Sequence, residues 1–299
     1  MKQQLSRVIL WSARILHIDG LIPDKVYLRL LYRRQLNQKL NLKDPRTVNE
    51  KLQWLKLYDR RPEYSTMVDK YAVKKYVADI IGEEYIIPTL GVWDKPEDIK
   101  WDYLPDSFCL KCTHDSGTII IVRDKTMINK PEIINQLNKW LKRDFWILGR
   151  EWPYKNVPRR IIAEKLLDVD PKINDLYDYK FFCFNGEPKV LLFCSERKNG
   201  TSKWDFFDME MNRLPVSAEH HETTKIEIKK VLNLKTFEEM KGMARALSET
   251  IPYVSVDLYF NQERIYFGEM TFYSGCGHIH YNPISFDTTL GDMLHLPNK

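Results

Sequence analysis

The chain has 299 residues, 43% of them apolar and 29% charged, which is an ordinary globular balance, neither disordered nor membrane-spanning. Its net charge of +5 is uneven: residues 1–61 carry 14 Lys and Arg against 5 Asp and Glu. Its 12 glycines nowhere form G-x-G-x-x-G or G-x-x-x-x-G-K-[ST], so a dinucleotide fingerprint and a P-loop are both excluded.

The basic end contains two apolar segments, SRVILWSARIL and DKVYLRLLYRRQLNQKL, with Arg29, Arg33 and Arg34 interleaved. Arg14 and His17 interrupt the first, so it is not read as a signal peptide, and no run reaches the roughly 20 apolar residues of a span. Two readings fit: a helical pair packed on the domain, or a basic amphipathic surface resting on anionic lipid. Nothing else resembles a nucleic-acid module, and no nucleic-acid partner is expected. Residues 47–80 read as helix–loop–helix, with Thr47 as N-cap and Glu50 completing a capping box.

Ile86 to Trp93 is strand-like, and SFCLKC, the turn THDSG and TIIIVRD predict a hairpin. Residues 129–143 suggest a helix, and Arg159 to Leu167 a buried strand. Asn185-Gly186 between two apolar runs marks a second hairpin. A helix from Leu234 to about Thr250 precedes a third hairpin-like pair, Val254–Tyr259 and Arg264–Glu269. Hairpins separated by helices argue for an α+β fold with mostly antiparallel sheets. The five cysteines lie largely inside apolar runs and are read as buried and reduced, the state of cytosolic proteins.

Asp257 and Glu269 sit among apolar neighbours on successive strands. Such carboxylates are either paired with Lys or Arg or bound to a cation, and two on adjacent strands can hold Mg²⁺ together with phosphate oxygens. Lys111 is centred in an apolar strand before His114-Asp115-Ser116-Gly117-Thr118, a small-residue turn whose N–H groups suit phosphate. Alternatively it faces solvent from an edge strand. Lys165 in IIAEKLL and Lys180 in DYKFFCF repeat the pattern. Three such lysines and a late carboxylate pair suggest one polyphosphate held between sheets.

The series SFCLKCTHDSG, IIAEKLL, DYKFFCFNGEP and VDLYF…YFGEMTF resembles the ATP-grasp enzymes. With TVNEKLQWLKL, MVDKYAVKKYV, GREWPYKNVPRRIIAEK and FDTTLGDMLHLP, it resembles more closely the TupA-like ATP-grasp family of bacterial surface-polysaccharide clusters, over roughly residues 20–299. The resemblance implies ATP and Mg²⁺ as cofactors. Lys111 is similar to the lysine that contacts the phosphates, and His114 to Thr118 to the loop that closes over them. Glu164, Lys165 and Leu167 resemble the strand that holds adenine. Lys180 would lie near phosphates or substrate, and Asp257 and Glu269 resemble the magnesium carboxylates. Where many relatives have Glu-x-Asn the chain has Glu269-Met270-Thr271, so the Thr271 hydroxyl stands for an amide ligand. Ser255 stands where many have arginine, leaving Arg197 or Arg150 to supply that charge.

The family pattern implies a carboxylate–amine ligase working through an acylphosphate. Its carboxylate would be a uronic acid or acidic glycan and its co-substrate an amine, at the cytoplasmic side and in reach of the inner membrane. The expected parts are residues 1–104 (helical and pre-ATP-grasp), 105–167 (lid) and 168–299 (metal-bearing). Asp168-Val169-Asp170, a D-x-D, supports a glycosyltransferase as alternative, and Ser255 with Thr271 a silent nucleotide-binding protein. His278 and His280 alternate on a strand and are read as surface or substrate-facing, for want of a third ligand.

Overall fold

The computed structural model describes residues 2–16, 18–169, 175–196, 202–261 and 263–298. Helices α1 (Lys2–Ile15) and α2 (Asp24–Leu36) meet through Leu10, Tyr27 and Leu31. Next comes α3 (Val48–Tyr58), which starts where its sequence signature says. The Thr47 hydroxyl accepts from the Glu50 N–H at 3.2 Å, and the Thr47 N–H donates back to the Glu50 carboxylate at 3.4 Å. Thr47→Ala is expected to cost about 1 kcal/mol, read as a shift of the thermal midpoint.

Helix α3 is fastened to the far end of the chain. The Asn49 amide donates to Asp287 at 2.9 Å and to the Ile279 carbonyl at 2.8 Å, and it accepts from the Ile279 N–H. The segments TVNEKLQWLKL and FDTTLGDMLHLP, far apart in sequence, are therefore one packed unit. Helices α4 (Tyr64–Val68) and α5 (Ala72–Ile81) follow.

Strands β1 (Thr89–Trp93), β2 (Phe108–Cys112), β3 (Ile119–Val122) and β4 (Ile161–Lys165) form an antiparallel sheet in the order β1-β4-β2-β3. β1 comes from the segment read as the N-terminal part, so this sheet begins near residue 89 rather than 105. Between β3 and β4 run α6 (Lys130–Leu141) and α7 (Phe145–Gly149). Alternation along the strands sends Phe108, Leu110, Cys112, Ile161 and Ala163 to one face, where Leu137 of α6 covers them. The other face is left for Lys111 and Glu164.

The second sheet uses β5 (Asp178–Phe184), β6 (Glu187–Ser195) and β7 (Lys203–Phe207). β8 (Ser217–Ala218), α8 (Ile228–Val231) and α9 (Leu234–Ser248) come next in the chain. β9 (Tyr253–Phe260) and β10 (Ile265–Thr271) complete that sheet, in the antiparallel order β10-β9-β5-β6-β7. β11 (Tyr281–Asn282) pairs with β8, and α10 (Ser285–Met293) follows. The β5–β6 hairpin turns on Asn185 and Gly186, both at positive φ, as an Asn-Gly turn requires. Phe237, Met240, Ala244 and Leu247 of α9 join Phe181, Val256 and Leu258 in the main core. The five cysteines carry no disulfide.

Candidate active site between the two sheets

The uncovered faces of the two sheets and α5 enclose a cavity of about 270 Å³. On the first sheet, register pairs Lys111 with Ile162 and Cys109 with Glu164, so Lys111 and Glu164 are diagonal neighbours on one face. The Lys111 ammonium lies 2.6 Å from Glu164 Oε2, and Lys74 of α5 reaches Oε1 of the same carboxylate at 2.5 Å. Glu164 is 5% exposed. Burial alone would raise its pKa, but Lys111 and Lys74 overcome that and hold it below the usual glutamate value. Lys70, just before α5, donates to the Asp115 carbonyl and lines the same cavity. Burial lowers its pKa, with Glu269 and Asp115 opposing.

Ser116, Gly117 and Thr118 border the cavity as well. The loop is braced from beneath by Asp115, fully buried, which accepts from the Thr118 hydroxyl and lies 3.7 Å from the Arg143 guanidinium. His114 points elsewhere: it is buried, with Nε2 at 3.3 Å from the Arg143 carbonyl, and does not line the cavity. Lys165 is also off the site. Glu164 and Lys165 are consecutive in a strand and face opposite sides, so only one can look into the cleft, and Lys165 is exposed. Leu167 is buried with Ile87 and Tyr266 in a small apolar cluster and does not itself line the cavity.

The second sheet presents two rows across its strands. One runs Glu269, Asp257, Lys180, Leu192; the other Tyr259, Asp178, Cys194, Trp204. Lys180 Nζ bonds Asp257 Oδ2 and lies 2.9 Å from Asp178 Oδ2. Ser255 donates to the other Asp257 oxygen at 2.6 Å. Burial pushes the Asp257 carboxyl up to about 8, with Asp178 and Glu269 adding to the effect and Lys180 opposing it. Ser255 therefore serves the carboxylate it precedes.

Glu269 reaches this face because of a bulge. Ile265 and Phe267 point into the core, and strict alternation would send residue 269 the same way. Between Phe267↔Leu258 and Glu269↔Asp257 the register slips by one residue at Gly268, after which Met270 and Phe272 face the core and Glu269 the cleft. A Cβ at residue 268 would lie 2.9 Å from both the Asp257 carbonyl and the Tyr259 ring. Gly268→Ala is therefore expected to cost about 1–3 kcal/mol and to weaken any ligand shared by Asp257 and Glu269. Denaturant unfolding and a Mg²⁺ titration would read the two effects separately.

The remaining candidates are dispersed. Thr271 pairs with Ser255, half-buried and outside the cavity lining. Asp168 is exposed and away from it, and Asp170 and Arg197 lie outside the described residues. Arg150 is committed elsewhere, which corrects its reading as a charge donor. It is 1% exposed, stacked 4.0 Å over the Tyr27 ring and paired with Asp24. His278 and His280 border a separate cavity beside α1 and α2.

Charge in the cleft is sorted by side. Lys74 and Lys111 hold the Glu164 carboxylate between them and Lys70 lines the cavity with them, whereas the second sheet sets Lys180 among Asp178, Asp257 and Glu269. The first side is a cationic, anion-binding wall; the second has a surplus of carboxylates. Mg²⁺ is commonly held by one or two carboxylates plus substrate phosphates, and the facing pair Asp257 and Glu269 fits that need. Among the described residues no group of three or more His, Cys, Asp or Glu forms a self-sufficient metal site. Any cation here would need oxygens from a ligand. Lys70, Lys74, Asp178, Tyr259, Trp204 and Gly268 were not singled out from the sequence. For Asp178 a signal existed, since it stands two residues before Lys180 on the same strand face.

A family model described as TupA-like ATPgrasp matches residues 50–295. The chain belongs to this family. Its two antiparallel sheets facing across a cleft are thus an ATP-grasp fold. No curated protein matches the sequence. Among solved structures, the chain is similar to a D-alanine–D-alanine ligase from Helicobacter pylori, at 14% identity and a TM-score of 0.45, covering 83% of this chain and 69% of that one. It is also similar to the Bacillus anthracis D-alanine–D-alanine ligase complexed with ATP, at 15% identity and 0.37, covering 69% and 54%. A third is N5-carboxyaminoimidazole ribonucleotide synthetase from Thermus thermophilus, at 12% and 0.39, covering 69% and 45%. The TupA-like chain thus spans about half the length of the Bacillus anthracis ligase.

Proposed function

We propose that this TupA-like ATP-grasp protein is an ATP- and Mg²⁺-dependent carboxylate–amine ligase. The reading is carried by the sorted charge of the cleft, a three-lysine wall facing a carboxylate pair. That arrangement suits a polyphosphate bridged by a hard cation. Lys70, Lys74 and Lys111 bind phosphate oxygens, and Ser116 to Thr118 border the same cavity. Asp257 and Glu269 hold the cation, whose chemistry is to neutralise charge on the transferring phosphoryl group. Lys180 keeps the three carboxylates of its sheet together, and Arg197 is the candidate for an additional charge at the reacting centre.

A carboxylate oxygen of the substrate attacks the γ-phosphorus and ADP leaves, giving an acylphosphate. The amine nitrogen then attacks the acyl carbon, inorganic phosphate departs, and the nitrogen loses a proton to leave an amide. This chemistry asks for positioning and charge neutralisation rather than a protein nucleophile. By family resemblance the carboxylate is a uronic acid of a surface polysaccharide or its precursor, and the amine an amino acid or amino sugar. On this reading residues 1–104, 105–167 and 168–299 act as the N-terminal, lid and metal-bearing parts, with β1 completing the lid sheet.

The test is release of ADP and phosphate with a panel of uronic acids and amines, with and without Mg²⁺. The expected result is ADP formation that needs both Mg²⁺ and a carboxylate, with amide product once an amine is added. Consumption of a sugar nucleotide with ATP left intact would overturn the reading.

A further inference from the structure

Helix α1 buries a narrow stripe and shows most of its large apolar side chains to solvent. Ser6, Leu10 and Ala13, spaced along one face, are the side packed inward. Around the opposite side stand Leu5, Val8, Trp11, Ile15 and Leu16, each 54–65% exposed. The apolar surface continues past the helix through Ile18 and Leu21, also exposed. Singly exposed apolar residues are ordinary, but a contiguous face of this kind marks an interaction surface.

Beside it runs a groove of about 550 Å³ between α1 and α2, lined by Arg7, Arg14 and Arg34 with Val8, Leu10 and Trp11. None of these three guanidinium groups has an ion-pair partner among the described residues. The surrounding segment is strongly basic, 14 Lys and Arg against 5 Asp and Glu in residues 1–61. At 14 residues α1 is about 21 Å long, and no helix among the described residues is long and apolar enough to cross a membrane. An outward apolar face flanked by cations and bearing a tryptophan is instead the pattern of a helix lying in the plane of a bilayer surface.

We propose that this face docks the protein on an anionic phospholipid bilayer. Leu5, Val8, Trp11, Ile15 and Leu16 enter the headgroup–acyl boundary, and Arg7, Arg14 and Arg34 sit on lipid phosphates. Charge complementarity selects this occupant over a second copy of the chain, because self-association through the face would bring two arginine clusters together. The inference is independent of the ligase reading, since no residue of it lines the cleft.

The experiment is sedimentation of the full-length protein with phosphatidylglycerol-containing vesicles and with pure phosphatidylcholine vesicles, at low and high salt. The expected result is binding to the anionic vesicles that weakens with salt. Arg7→Gln, Arg14→Gln and Arg34→Gln together should lower the partition coefficient roughly a hundredfold, at about fivefold per cation near the surface. Val8→Glu with Ile15→Glu should abolish binding. Because all these side chains are exposed or groove-lining, circular dichroism and the thermal midpoint should stay at the wild-type values. No association with anionic vesicles would overturn the proposal. So would vesicle binding indifferent to Val8→Glu and Ile15→Glu, or a dimer in analytical ultracentrifugation that those substitutions dissolve while vesicle binding is absent.

Discussion

Glu269→Gln is expected to lower Mg²⁺-dependent ATP turnover about a thousandfold, the scale of losing one preorganised charge at a reacting centre. The amide keeps the shape of the side chain and leaves the Gly268 bulge in place, so the row Glu269, Asp257, Lys180 persists with one negative charge fewer. That charge completes the carboxylate surplus of the second sheet, where Lys180 is set among Asp178, Asp257 and Glu269. The loss should appear in turnover and in Mg²⁺ dependence, with the thermal midpoint nearly unmoved. Asp168→Asn is the matching control. Its side chain is exposed and outside the cavity, and its turnover should equal wild type. Equal loss in both variants would contradict the assignment.

Glu164→Gln should act first on stability. Glu164 is the shared counter-charge of Lys111 at 2.6 Å and Lys74 at 2.5 Å, and all three are largely buried. Breaking a buried pair by removing one partner typically costs about 3–5 kcal/mol, because the other charge stays buried without compensation. Here two ammonium groups are left, and Lys74 already has its pKa lowered by burial despite Glu164. The pH dependence follows from the direction of the Glu164 shift. Its folded-state pKa is depressed, so its stabilisation is present above the ordinary glutamate value and is lost as pH falls through the folded value. Denaturant unfolding across the acid range should show a steeper loss in wild type than in Glu164→Gln. A variant as stable as wild type near neutral pH would refute this account of the first sheet.

Local signals were the most legible part of the sequence. The capping box at Thr47 and Glu50 and the Asn185-Gly186 turn depend on neighbours a few residues apart, and both stand as read. Strand alternation also placed Lys111 and Lys180 among apolar neighbours, which identifies them as charges needing partners. What the sequence hid is what distant segments supply. Lys74 belongs to a helix that reads as an ordinary amphipathic one, and only its packing brings the ammonium to Glu164. Likewise the fixed alternation of a strand assigns Glu269 to the wrong face unless the slip at Gly268 is known. His114 and Lys165 show the opposite error. A motif carries a whole run of residues, but in a loop or strand only some of the run turns toward the ligand.

The reading of the cleft rests on a nucleotide bound between the two sheets with a divalent cation on Asp257 and Glu269. The most direct measurement is calorimetric titration of ATP into the wild-type protein, with Mg²⁺ and with chelator, beside a sugar nucleotide. The account predicts one saturable ATP site that requires Mg²⁺ and no binding of the sugar nucleotide. Saturable binding of the sugar nucleotide with no heat from Mg²⁺-ATP would contradict it.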